Sequence, residues 1–141
     1  MQRRRYDCFL LDWDGCVAAT LPLWLELYRQ ALGRRGIAAA EGRVLRELFE
    51  DWRGAARFGV RDEAAFAEEV SRGLCERAGE VSLYPEAPAA LRGLRGIGSR
   101  VAVLSGSARR AVEPVLRRHG LSDCLDLLVA AEDVLRPKPD P

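Results

Sequence analysis

Two aspartates stand two residues apart at the end of an apolar run. The stretch "FLLDWDGC", residues 9–16, carries Asp12 and Asp14 around Trp13. In extended backbone, residues i and i+2 project to the same side, so both carboxyls can face one site while Trp13 points away. Carboxylates this close repel, so one becomes neutral or a cation holds both. Either condition is useful. An ionised aspartate can act as a nucleophile, and a neighbour that exchanges protons can act as general acid and base. Gly15 lets the backbone turn sharply after the pair.

Two further polar clusters follow apolar runs. "RVAVLSGS" ends in Ser105, Gly106 and Ser107. A hydroxyl and an N–H beside a helix N-terminus form a natural seat for a phosphate oxygen. Serine–glycine turns are common, so this triplet is weak by itself. "RPKPDP" carries Lys138, the single lysine among 22 Lys and Arg residues. The arginine bias suggests GC-rich coding. Against it, Lys138 offers a compact point charge suited to a phosphate or to the carboxylate that attacks it.

The elements that must position these groups read as follows. "YDCFLL" (6–11), "RVAVLSG" (100–106) and "CLDLLVA" (124–130) are mostly apolar runs of strand length, suited to a parallel sheet buried on both faces. Thr20 can cap a helix carrying Leu23, Trp24, Tyr28 and Leu32 that stops near Gly36. A second helix is expected over about 40–52, with Leu45, Leu48, Phe49 and Trp52 at helical spacing, and a third over about 61–78, with Phe66, Val70 and Leu74. Pro85 opens a helix running to about Arg95, closed by Gly96 and Gly98. Ser107 can cap the next helix, which ends at Arg117, Arg118 and His119 with Gly120 at C′. Pro114 predicts a kink or a late start near Val112.

The last strand–helix–strand transitions look like right-handed βαβ crossovers. The helices over about 18–80 are too long for such a crossover. They read as a separate helical domain joined by linkers near 16–19 and 81–84. All three polar clusters then fall at the carboxyl ends of strands, where open parallel sheets bind ligands.

Composition narrows the class. The chain has 141 residues, 48% hydrophobic and 30% charged, with a net charge of +1, which suits one globular domain and gives no support for a nucleic-acid partner. Arg3, Arg4 and Arg5 read as a solvated tail. No apolar run approaches the roughly 20 residues of a membrane span, and Asp7, Asp12 and Asp14 interrupt the one after "MQRRR", so no membrane role is expected. Cys8, Cys16, Cys75 and Cys124 are scattered without metal spacing. Cys8 and Cys124 read as small core residues, and a reducing, cytoplasmic setting fits the set.

Together these residues resemble the haloacid dehalogenase-like superfamily. "LLDWDGCV" is similar to its first motif, "VAVLSGS" to its second and "RPKPDP" to its third. The stretch from "LYPEAPAALRG" onward looks like the phosphoglycolate phosphatase and β-phosphoglucomutase branch. The resemblance covers nearly the whole chain, and three motifs in order are specific where one is not.

It implies an α/β fold: a Rossmann-like three-layer core with a parallel sheet (1–17 and 82–141), incomplete at the C-terminus, and an inserted α-helical cap domain (18–81). It also implies a Mg²⁺-dependent phosphatase for a small phosphorylated metabolite. Asp12 would form an aspartyl-phosphate. Asp14 would protonate the leaving oxygen and then activate water. Ser105, Gly106 and Lys138 would hold the phosphoryl group, and Asp12 with the Asp14 main-chain carbonyl would bind Mg²⁺.

The chain departs from the family pattern twice. Ala19 stands before Thr20 where the family often has an aspartate, a position that concerns cap and substrate. The family's fourth motif, an acidic pair after a fourth strand, does not occur before Pro141. The expectation is therefore an N-terminal part of a longer enzyme, weak or inactive by itself, whose first strand lies at a sheet edge. The alternatives are a phosphosugar mutase that shares Asp12 and Asp14, and an inactive truncated module. Asp14 argues against dehalogenases, which lack it, and the absence of a cap lysine argues against phosphonatases. In "EDWRGAARF", Arg53 and Arg57 are candidates to meet an anionic substrate, although a solvated helix end explains both.

Overall fold

The computed structural model describes residues 6–49 and 52–136. In chain order its main elements are β1 (Cys8–Asp12), α1 (Leu21–Gly33), α2 (Glu41–Val44), α3 (Glu63–Glu76), α4 (Ala87–Gly96), β2 (Arg100–Leu104), α5 (Arg109–Arg118) and β3 (Leu127–Val129). They fall into two compact units. One gathers the described residues up to Thr20 and from Ala78 onward; the other is Leu21–Arg77. No helix among the described residues is long and apolar enough to cross a membrane.

The first unit holds a parallel sheet in the order β1-β2-β3. Asp12 pairs in register with Leu104, and Leu104 with Val129, so the carboxyl ends of the three strands stand in one row. The central strand is the most deeply buried, with Val101, Ala102 and Val103 in the core. α4 packs on it through a face that buries Leu91.

β1 lies at the sheet edge, as the resemblance implies, and not buried on both faces as its apolar run suggests. Cys8, Leu10 and Asp12 are exposed, Leu10 to 67%, and Phe9 and Leu11 are half-buried. Among the described residues β1 has a strand neighbour on the β2 side alone, so an apolar run of buried type lies partly in solvent. Cys8 is accordingly a surface residue rather than a core one, whereas Cys124 is buried.

β3 is shorter than the apolar run 124–130. Cys124 lies in a 3₁₀ turn (Ser122–Cys124), and Asp126 begins the pairing with β2. Its main-chain N–H donates to the Val101 carbonyl at 2.8 Å, and its Oδ2 accepts the Val101 N–H at 2.9 Å. The Val101 N–H holds the Asp126 carboxyl below the usual aspartate range against some desolvation, helped by Arg95 and Arg100.

α5 starts at Arg109, not near Val112, and carries Pro114 inside it. Its apolar stripe of Ala111, Val112, Val115 and Leu116 is buried, which offsets the one hydrogen bond that proline removes. At its far end the Arg118 guanidinium donates to the carbonyls of Ala78, Gly79 and Val81, and Gly120 leaves the helix at φ +62°.

In the second unit α1 packs on α3. Leu23, Leu27, Ala31 and Leu32 are buried on one helix and Phe66, Val70 and Leu74 on the other. Tyr28 stacks on Phe66 with ring centroids 6.1 Å apart. Asp62 caps α3 by accepting the Ala65 N–H at 2.9 Å. The helix expected over 40–52 is not a single α-helix. α2 widens into a π-type turn at Leu45–Phe49, and Trp52–Phe58 forms a 3₁₀ segment. A Cβ at Gly54 would lie 1.7 Å from the Glu47 carbonyl oxygen, so the chain doubles back there at a distance only glycine allows.

Candidate active site

The row of strand ends brings the candidate residues together. Asp12 closes β1 and is exposed. The chain then folds into a tight loop, in which the Trp13 carbonyl accepts the N–H groups of Cys16, Val17 and Ala18 at 3.3, 3.1 and 2.9 Å. Gly15 sits at φ +76°, a conformation that an L side chain would strain. The loop drives Trp13 inward, to 1% exposure.

Asp14 is held on both of its carboxylate oxygens. Its Oδ1 accepts the Thr20 hydroxyl at 2.7 Å, and its Oδ2 accepts Ser107 at 2.7 Å and Ser105 at 3.3 Å. All three hydroxyl residues are buried. Ser105 in turn accepts the Ser107 N–H on its Oγ at 2.9 Å, and its own N–H donates to the Val129 carbonyl at 2.8 Å. The end of β3, the loop after β2 and the loop after β1 are thereby joined through Asp14 and Ser105.

One role differs from the sequence reading, and another gains a second part. Ser107 does not cap α5. Ala108 occupies the cap position without a side-chain bond, and the Glu132 carboxylate accepts the Arg109 N–H at 3.1 and 3.0 Å. The Thr20 hydroxyl gives its proton to Asp14 as well as standing at the start of α1. Both residues were visible in the sequence as polar helix starters; their shared contact with Asp14 was not.

Gly106 lies exposed between the serines, and no acceptor among the described residues takes its N–H. It can therefore meet an incoming anion. Among the described residues no group of three or more His, Cys, Asp or Glu gathers as a metal cluster. The Asp12 carboxyl and the Asp14 carbonyl are hard oxygen donors, which suits Mg²⁺, an ion that completes its shell with water and phosphate oxygens. Lys138 lies outside the described residues, as do the tail Arg3–Arg5 and the side chain of Arg53. Arg57 is exposed, and its carbonyl accepts from the Arg43 guanidinium at 2.9 Å.

The chain belongs to the haloacid dehalogenase-like hydrolase family, whose model matches residues 6–141. A plasmid phosphoglycolate phosphatase of Cupriavidus necator is 29% identical over 144 residues, covering 94% of this chain and 62% of the relative. An N-acetylmuramic acid 6-phosphate phosphatase of Pseudomonas aeruginosa is 24% identical over 149 residues, covering 100% of this chain and 66% of the relative. Among solved structures, a Bacteroides fragilis protein described as a haloacid dehalogenase-like hydrolase superposes with a TM-score of 0.85 at 24% identity, covering 97% of this chain and 69% of that one. CbbY from Rhodobacter sphaeroides, solved in complex with phosphate, gives a TM-score of 0.74 at 20% identity, covering 95% of this chain and 67% of that one. These structures show the fold: a Rossmann-like parallel α/β core with an inserted helical cap. The chain spans about two thirds of the length of its curated relatives, 62% and 66%.

Proposed function

We propose that the protein is a phosphatase that hydrolyses a small phosphomonoester through an aspartyl-phosphate on Asp12. The observation that carries this reading is the seating of Asp14. It stands two residues from an exposed strand-end carboxyl, with both oxygens held by buried hydroxyls. These hydroxyls orient Asp14 beside that carboxyl, where it can exchange protons with a leaving oxygen or water. The phosphatase names of two relatives support the same class.

In this mechanism Asp12 Oδ attacks phosphorus in line, and the bond from phosphorus to the leaving oxygen breaks. Asp14 gives that oxygen its proton. It then takes a proton from water, which attacks the aspartyl-phosphate, frees inorganic phosphate and restores Asp12. Ser105, the Gly106 N–H and Lys138 hold the phosphoryl oxygens. Mg²⁺, held by Asp12 and the Asp14 carbonyl, would neutralise charge on the transferring group. The four cysteines are unpaired thiols, consistent with a reducing, cytoplasmic compartment.

The test uses the protein at the full length its gene encodes, with Mg²⁺ and a panel of phosphomonoesters. Phosphate release without formation of a substrate isomer is expected, and Asp12→Asn should abolish it. Undiminished release by Asp12→Asn would remove the nucleophile assignment. An isomerised sugar phosphate would make the protein a mutase.

A further inference from the structure

The N-terminus of α5 is tied to a loop more than twenty residues away in sequence. Arg109, its first residue, reaches across to β3 and the segment after it. Its Nη2 donates to the Leu128 carbonyl at 3.0 Å and to Asp133 Oδ2 at 2.5 Å, while Nη1 meets Glu113 at 3.3 Å. Its main-chain N–H is capped by Glu132 from the same segment. The Ala131 N–H donates to the Ser107 carbonyl at 3.1 Å, and Asp133 Oδ2 also accepts the Ala130 N–H at 2.8 Å.

Half-exposed ion pairs of this kind usually add little stability. Here one guanidinium nitrogen, Nη2, donates to both a strand carbonyl and a carboxylate while Nη1 meets Glu113, so three acceptors on two elements and a loop fix its direction. The usual local cap is also missing. Ser107 is committed to Asp14, alanine occupies the cap position, and the cap arrives from Glu132, in a segment whose Asp133 precedes Lys138 by five residues in sequence. Neither loop can shift without breaking the other's hydrogen bonds.

We infer that Arg109 is a positioning residue for phosphoryl transfer, holding the segment that leads to Lys138 in register with the Ser105–Ser107 loop. The inference rests on the phosphatase reading, in which Lys138 and Ser105 hold the phosphoryl group. Arg109 itself touches no substrate. It acts through the placement of the lysine segment against the Ser105–Ser107 loop.

The test compares R109A, R109K, D133N, K138A and the double variant R109A/K138A in the full-length protein, well below each variant's Tm. The readouts are kcat/KM for a phosphomonoester and competitive inhibition by inorganic phosphate. R109A should lower kcat/KM by about tenfold or more, because small misplacements of a positioned group are costly, and should weaken phosphate inhibition in parallel. D133N should show a smaller loss of the same kind, and R109K should recover part of it. The double variant should be no worse than K138A, since Arg109 acts through the lysine segment. Losses that multiply in the double variant, or wild-type kinetics in R109A with a depressed K138A, would overturn this inference alone. Full activity in K138A would overturn the functional reading and the inference with it.

Discussion

Replacing Ser107 by alanine probes the feature that most distinguishes this site. Asp14 Oδ2 has two hydroxyl donors, Ser107 at 2.7 Å and Ser105 at 3.3 Å, while Oδ1 keeps Thr20 at 2.7 Å. Ser107→Ala removes the shorter Oδ2 bond and leaves the longer one. A hydrogen bond to a charged group contributes about 1.5–3 kcal/mol. At about 1.4 kcal/mol per decade of rate, its loss corresponds to roughly a 10- to 150-fold fall in kcat/KM. The lower part of that range is expected, because Ser105 can close on Oδ2. The fall should appear in kcat more than in KM, since in the proposed mechanism Asp14 acts on the leaving oxygen in the transition state. It should also depend on the leaving group. An alkyl phosphate needs protonation, whereas p-nitrophenyl phosphate leaves as a stable anion, so the alkyl substrate should lose more. Steady-state kinetics on both substrates, with a thermal melt to show that the variant is folded, make the assay. A folded Ser107→Ala protein with wild-type kcat/KM for the alkyl phosphate would refute the reasoning. So would equal losses on both substrates.

Other outcomes follow from the packing and the charges. Phe66 is 1% exposed between α1 and α3, so Phe66→Ala should cost about 3–5 kcal/mol, read as an earlier urea midpoint. A midpoint within error of wild type would contradict the packing described. Stability should also fall in acid. The Asp133 carboxyl is held low by the Ala130 N–H, against desolvation and with help from Arg109, and Asp126 is held low by the Val101 N–H. At Glu69, burial pulls upward but is outweighed by Arg35 and Arg34. Folded values below the unfolded ones mean that this stabilisation is complete above the ordinary carboxylate range, about pH 4, and is lost as pH falls through the folded values. Urea midpoints measured from pH 7 to 3 should decline in that window, and less steeply in Asp126→Asn. A midpoint that rises on acidification would contradict the sign.

Much of the site was legible because its residues sit at strand ends. An apolar run ending in a polar residue marks a carboxyl edge, and in a parallel sheet the register brings successive edges together. That logic reached Asp12, Asp14 and Ser105. It could not reach the partners of Asp14, because Thr20 and Ser107 are also ordinary helix starters and their shared target is set by tertiary approach. The Glu132 cap of α5 was hidden for the same reason, its partner lying 23 residues away. The edge position of β1, with its exposed apolar side chains, was expected from the resemblance, but the exposure of Cys8, read as a core residue, was not. An apolar run reports that a strand is suited to burial, not which neighbours cover it. The break after α2 depends on Gly54 meeting the Glu47 carbonyl, a contact with no periodic signature.

The central claim is that Asp12 carries the phosphoryl group. Its most direct test is acid quenching of the full-length protein within one turnover of a phosphomonoester, followed by peptide mass spectrometry. The account predicts one added phosphoryl group on the peptide containing "FLLDWDGC", localised to Asp12 and absent in Asp12→Asn. Turnover with that peptide unmodified at every quench time, or with the phosphoryl group on another residue, would contradict it.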